Sequence, residues 1–123
     1  MTYNVAILGA SSNPERYSCL AQRMLTDRGY RVLPVALNQA EINGVPAYQT
    51  LAEIPEPVDT VTVYLSPQRV EAALPDILAA RPRRAIFNPG SESATAMSTL
   101  AEQGIDVVQA CSLVLLRTGQ FDD

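Results

Sequence analysis

Five apolar runs of strand length are the feature that most constrains the fold of this chain. They cover residues 5–8, 32–36, 61–65, 85–87 and 105–108, and several are nearly continuous rather than alternating in polarity. Continuous apolar runs are typical of strands that are covered on both faces of a parallel sheet. Parallel strands need crossovers, usually helices that pack on the sheet, so the runs predict an α/β fold.

Helical patterns lie between these runs and support that prediction. Apolar residues recur at the spacing of one buried helix face over residues 14–28. Another helix is predicted after Pro67, and Pro75 is expected to kink it or to lie in a loosened turn. A further helix is predicted to begin near Ser91 or Glu92 and to stop at Gly104.

The second crossover is less regular than the others. Turn residues and a short capping-box pattern at residues 50–53 predict a loop with one brief helix. The alternation of strands and right-handed crossovers predicts a Rossmann-like three-layer sandwich. Its five-stranded parallel sheet is predicted to have the order 3-2-1-4-5, with the strands numbered along the chain. Because 123 residues leave room for one core, we expect a single domain over residues 1–123.

The composition excludes several classes of partner. The net charge is −4, and the nine arginines are accompanied by no lysine, so a nucleic-acid partner is not expected. The first apolar run is too short for a signal or membrane segment, which predicts a cytoplasmic protein with no membrane partner. Cys19 and Cys111 lack the spacing of a metal site and are expected to be buried free thiols, with no disulfide and no bound metal.

Residues 9–16, which we call the first loop, carry the strongest ligand signal. Ligands of such sheets lie at the carboxyl ends of the strands where the strand order reverses, here predicted between the first and fourth strands. Gly9 permits a tight turn, and hydroxyl and amide side chains follow it at the start of a helix. Arg16 is able to bind two oxygens of one phosphate. The alternative is that Ser12 or Asn13 caps the helix and that Arg16 is solvated.

The loop departs from the usual dinucleotide pattern G-x-G-x-x-G. Ser11 and Pro14 occupy the positions of its second and third glycines. The second strand is followed by Asn38 and not by an acidic residue that would bind the ribose hydroxyls of NAD. Both differences weaken the case for NAD, but they leave open another phosphate-bearing ligand.

The order of motifs along the chain resembles a known family. The segments that carry the resemblance are residues 6–16, 32–35, 42–48, 51–55 and 58–61. Together they look like the small stand-alone CoA-binding proteins, whose fold is similar to the N-terminal CoA-binding domain of the succinyl-CoA synthetase α subunit. The resemblance covers nearly the whole chain. It implies a site for coenzyme A, with the diphosphate at the first loop and the pantetheine running past the loops after the second, third and fourth strands.

The resemblance and the topology together assign the ligand contacts. The first loop is expected to bind phosphate, the end of the second strand to line the adenosine or diphosphate side, and the loops after the third and fourth strands to flank the pantetheine. The predicted contacts are Gly9, Ala10, Ser11, Ser12, Asn13, Arg16, Pro34, Val35, Asn38, Ser66, Pro67, Asn88, Pro89 and Gly90.

The sequence offers little chemistry beyond binding. The chain has no histidine, so a phosphohistidine relay and a Ser-His-Asp triad are excluded, and no acid–base pair is evident. We therefore predict a non-catalytic protein that binds CoA or an acyl-CoA. Cys111 is either a packed thiol or a group that forms a mixed disulfide with CoA. The alternatives are an NAD(P)-binding redox sensor or small oxidoreductase, and a homodimeric interaction scaffold that pairs through the last strand and residues 113–116.

Overall fold

Five parallel strands form the central sheet in a computed structural model of the protein that describes residues 3–121. All neighbouring strands of this sheet pair in parallel, and a separate two-stranded antiparallel hairpin lies in the second crossover. The predicted α/β fold with a five-stranded parallel sheet is therefore confirmed. The strands are β1 (Asn4–Leu8), β2 (Arg31–Val35), β3 (Glu41–Ile42), β4 (Val45–Pro46), β5 (Thr60–Val63), β6 (Arg84–Phe87) and β7 (Asp106–Gln109).

Helices cover both faces of the sheet. Successive side chains of a strand point to opposite faces, so Val5 and Ile7 pack on one face of β1 and Ala6 and Leu8 on the other. The first face lies against α1 and α4, and the second lies against α2 and α3. The helices make the outer layers of a three-layer sandwich, and one apolar cluster lies between each of these layers and the sheet. The helices are α1 (Tyr17–Asp27), α2 (Pro67–Ala80), α3 (Ala94–Glu102) and α4 (Ser112–Arg117), with a 3₁₀ turn at Leu51–Glu53.

The predicted strand order 3-2-1-4-5 is wrong. The observed order is β2-β1-β5-β6-β7, so the third long strand pairs with β1 and not with β2. The outer edge of β2 is occupied by the returning chain, because the Tyr48 N–H donates to the Pro34 carbonyl and the Ala36 N–H donates to the Tyr48 carbonyl, both at 2.9 Å. The strand order therefore reverses between β1 and β5, and not between the first and fourth strands.

The start of α1 also differs from the prediction. The helix begins at Tyr17, three residues after the predicted start, with Arg16 as its N-cap residue. Asn13 forms a local turn instead of a cap, since its N–H donates to the Ser11 hydroxyl and its side-chain oxygen accepts from the Glu15 N–H, each at 3.0 Å. Short polar side chains bond to nearby backbone in this way and compete with helix formation.

The remaining helices follow the sequence pattern closely. The helix after Pro67 continues without interruption to the end of α2, although Pro75 lies inside it on the exposed side. The next helix begins slightly later than predicted, at Ala94, because the Ser93 hydroxyl accepts from the Ala96 N–H and caps it. Within the described residues, no helix has both the length and the apolar character that a membrane span requires.

Candidate ligand-binding cleft

A cleft of about 520 Å³ opens at the carboxyl edge of the sheet, beside the point where the strand order reverses. Its floor is apolar and includes Leu8 of β1, Val35 of β2 and Leu65 after β5. The first loop forms one wall, α2 forms another, and the second crossover with the 3₁₀ turn closes the third side. A concave, partly apolar site with a few polar groups at its rim is the usual form of a small-molecule site.

The backbone at Gly9 fixes the first loop in the cleft wall. The N–H groups of Gly9 and Ala10 both donate to the Val35 carbonyl at 3.1 Å, which ties the loop to β2. Gly9 has φ +86°, and a Cβ atom there would lie 3.1 Å from the Leu65 side chain and 3.2 Å from the backbone of Tyr64. Both the positive φ and the close approach to the end of β5 favour glycine at this position.

The first loop presents hydrogen-bond donors that the protein itself does not use. The backbone N–H groups of Ser11 and Ser12 form no hydrogen bond with any described residue. Arg16 is exposed and lines the cleft, and its guanidinium has no partner within residues 3–121. Backbone N–H groups beside a helix start, together with a guanidinium, are well suited to bind an anion such as a phosphate.

The structure brings only part of the predicted contacts together. Six of them line the cleft, five from the first loop and one from β2: Gly9, Ala10, Ser11, Ser12, Arg16 and Val35. Asn13 is exposed and held in its turn, and Pro34 is buried where β2 pairs with β1. Asn38 is exposed with φ +60°, and its N–H donates to the Gln49 side chain. Ser66 and Pro67 are exposed at the start of α2, and neither lines the cleft.

Asn88 lies outside the cleft in a buried hydrogen-bond network. Its side-chain amide donates to the Thr62 hydroxyl at 2.8 Å and to the Val63 carbonyl at 2.9 Å, and its side-chain oxygen accepts from the Ser112 N–H at 2.8 Å. The Thr62 and Ser112 hydroxyls are also bonded to each other at 2.8 Å. This arrangement joins β5, the end of β6 and the start of α4. Pro89 and Gly90, which follow Asn88, are exposed and lie away from the cleft.

Sequence reasoning missed the wall that α2 contributes. The residues of α2 that line the cleft are Arg69, Ala72, Ala73 and Asp76. Their spacing of three, four and seven residues places them on one face of a helix, which is the signal that identifies them. The second crossover adds Gln39, Gln49 and Thr50, whose position became clear only with the observed topology.

Tyr64 lines the cleft, whereas the free thiols of Cys19 and Cys111 do not. The Tyr64 hydroxyl is buried without a hydrogen-bond partner of good geometry among the described residues. Burial raises the pKa of Tyr64 to about 12, and the nearby Thr62 and Ser112 hydroxyls oppose that rise. Cys19 and Cys111 are both free thiols; Cys19 is buried as predicted, whereas Cys111 is partly exposed and is not among the cleft-lining residues.

The fold and the cleft define a Rossmann-like α/β protein with an open cleft at the switch point of its sheet. The sequence model of the CoA binding domain family matches residues 3–117, and the chain belongs to this family. The resemblance noted in the sequence is therefore confirmed.

Individual relatives agree with this assignment. The chain is 31% identical over 74 residues to the uncharacterized protein YneT of Bacillus subtilis, a match that covers 60% of this chain and 55% of that protein. It is also 31% identical over 71 residues to the alpha subunit of an ADP-forming acetate–CoA ligase II of Pyrococcus furiosus, covering 57% of this chain and 16% of the subunit. A crystal structure of an uncharacterized protein shares 36% identity and superposes with a TM-score of 0.91 over 98% of this chain and 99% of that one. The matches thus span about half of the first relative and a small part of the second.

Proposed function

We propose that this chain binds coenzyme A or an acyl-CoA in the cleft and catalyses no reaction of its own. The observation that carries the proposal is the first loop, where the N–H groups of Ser11 and Ser12 and the guanidinium of Arg16 have no partner among residues 3–121 and all three residues line the cleft. Membership of the CoA binding domain family supports CoA as the ligand. The cleft of about 520 Å³ is in the size range of sites for small molecules.

The diphosphate of CoA is the group that suits the first loop. Each phosphate carries oxygens that accept hydrogen bonds from the backbone N–H groups and from the Ser12 hydroxyl. Arg16 adds two parallel N–H donors and a fixed positive charge. Hydrogen bonds to charged groups contribute about 1.5–3 kcal/mol each to the free energy of binding. The apolar floor at Leu8, Val35 and Leu65 accommodates the less polar parts of the ligand.

The titratable groups of the cleft favour binding over catalysis. Among the described residues Asp76 is the sole carboxylate that lines it, and the chain contains no histidine. The raised pKa of Tyr64 keeps its phenol protonated near neutral pH, and arginine does not act as a base in this range. The described residues that line the cleft therefore do not include an acid and a base that could exchange protons with a substrate.

Calorimetric titration of the full chain with CoA, acetyl-CoA, NAD, NADP and ATP tests the proposal. We expect CoA and acetyl-CoA to bind and Arg16→Ala to weaken both by about tenfold, because a charged hydrogen-bond donor is lost. Arg23→Ala is the matched control, since Arg23 is an exposed arginine of α1 that does not line the cleft. Binding of NAD without binding of CoA would contradict the proposal and favour the redox alternative. A concentration-dependent dimer that binds none of these ligands would favour the scaffold.

A further inference from the structure

A second arginine that has no partner in the described part of the chain faces the same cleft. Arg69 lies in the first turn of α2 and lines the cleft together with Arg16. Among residues 3–121 the one ion pair joins Arg31 and Glu56, so neither cleft arginine is paired with a carboxylate there. Neither guanidinium donates a hydrogen bond to a described residue. The chain thus leaves two separate positive charges available to whatever occupies the cleft.

The position of Arg69 is not explained by the stability of α2. The N-terminal turn of a helix disfavours a cation, because the free N–H groups there carry partial positive charge. The neighbours at three and four residues are Ala72 and Ala73, which offer no ion pair along the helix face. The same face ends at Asp76, about 10 Å further along the helix axis. The α2 wall therefore runs from a positive end at the carboxyl edge of the sheet, past small apolar residues, to a negative end.

The two arginines reach the cleft from different layers of the protein. Arg16 immediately precedes α1, which packs on one face of the sheet, and Arg69 belongs to α2, which packs on the other. A diphosphate bound by the first loop occupies the donors around Arg16. Arg69 is then the positive charge that remains available to a second anionic group on the same ligand. Coenzyme A carries one, a 3′-phosphate on its ribose, which dephospho-CoA, NAD and ADP lack.

We propose that Arg69 is a specificity-determining residue that binds the 3′-phosphate of coenzyme A. The carboxylate of Asp76 repels a phosphate from the far end of the α2 wall and so favours the end that holds Arg69. The inference rests on the proposed CoA binding. It adds that Arg69 is the residue by which the protein distinguishes CoA from dephospho-CoA.

A double-mutant cycle between the side chain and the phosphate tests this inference. The full chain, Arg69→Ala, Arg69→Lys and the control Arg23→Ala are each titrated by calorimetry with CoA and with dephospho-CoA. We expect the unmodified chain to prefer CoA about tenfold, and Arg69→Ala to lose most of that preference while binding dephospho-CoA within about twofold of the unmodified chain. Arg69→Lys retains part of the preference because lysine keeps the positive charge. It loses the rest because lysine lacks the two parallel N–H donors of the guanidinium. Arg23→Ala behaves like the unmodified chain.

Three results would overturn the inference, and they are distinguishable. If the unmodified chain binds CoA and dephospho-CoA with equal affinity, the protein does not recognise the 3′-phosphate. Equal weakening of both ligands by Arg69→Ala shows that Arg69 acts on another part of the ligand. If neither CoA nor dephospho-CoA binds the unmodified chain, the proposed function is wrong, and so is the role of Arg69. Retained dephospho-CoA binding by Arg69→Ala also reports that the variant is folded.

Discussion

Two groups of polar side chains lie at the carboxyl edge of the sheet, and they differ in what their hydrogen bonds are used for. In the cleft region, Arg16 and Arg69 are exposed and have no protein partner among the described residues. In the second region, Asn88, Thr62 and Ser112 are buried and are bonded to one another. Position at a strand end therefore does not distinguish a polar side chain that is available to a ligand from one whose hydrogen bonds the fold already uses.

Solvent explains why the cleft region tolerates unused groups and the network does not. An exposed guanidinium is hydrated when the cleft is empty, so leaving it unpaired costs little. A buried donor or acceptor that loses its partner costs about 1–3 kcal/mol. Asn88 is 2% exposed, so its three hydrogen bonds are part of what holds the fold together.

The largest effect is expected from Asn88→Ala. The change removes three buried hydrogen bonds and leaves the Ser112 N–H without its acceptor. We expect the free energy of unfolding to fall by about 3 kcal/mol, measured by urea denaturation. Asn13→Ala is the matched control, because Asn13 is exposed in a surface turn and should cost less than about 1 kcal/mol. Unchanged stability of Asn88→Ala with loss of CoA binding would reverse the roles of the two regions.

The next effect concerns Tyr64, which lines the cleft while its hydroxyl lies near the network. Its pKa of about 12 in the folded protein exceeds the value of about 10 in an unfolded chain. Below pH 10 the phenol is neutral in both states; as the pH rises towards 12 the unfolded state loses its proton first, and stability falls. We expect this to remove about 2 kcal/mol by pH 12.

The Tyr64→Phe variant isolates that contribution. Urea denaturation of both proteins across this range should show a smaller alkaline loss of stability in the variant. Near neutral pH the variant should be no less stable, because the hydroxyl it removes is buried without a good partner. Parallel pH profiles of the two proteins would show that the Tyr64 hydroxyl does not titrate as a buried group.

A smaller effect is expected from Gly9→Ala in the cleft wall, with Gly29→Ala as control. Both glycines have nearly the same backbone angle, φ +86° and +87°, but a Cβ atom at Gly29 meets nothing within 4 Å. Subtracting the two losses in unfolding free energy therefore leaves the cost of the close contact with Leu65 and Tyr64. We expect Gly9→Ala to be the more destabilising by about 1 kcal/mol. Equal losses would mean that the loop shifts freely away from β5.

The types of the main elements were predictable because they depend on local patterns. Continuous apolar runs identified the five strands, and helical spacing identified the helices between them. The strand order depends on the pairing of β5 with β1, which joins residues far apart in sequence, and no local pattern contains it. The start of α1 was misplaced for a related reason, since Asn13 is equally suited to cap a helix or to form the turn that it makes.

The place of the first loop in the cleft was likewise predictable from a local pattern. The first loop is a local motif, a strand end followed by glycine, serines and a helix, and five of its residues line the cleft: Gly9, Ala10, Ser11, Ser12 and Arg16. The α2 wall depends on where β5 lies in the sheet, so Arg69 and Asp76 were not identified. Asn88 was assigned to the ligand because it follows a strand, and only the structure shows its bonds to Thr62 and Ser112.

Mapping amide chemical shifts by NMR during a titration with CoA tests the distinction between the two regions most directly. We predict that the amides of Ser11, Ser12 and Arg69 shift as CoA is added, and that those of Asn88 and Ser112 keep their positions. Shifts at Asn88 and Ser112 with an unperturbed first loop would contradict the account.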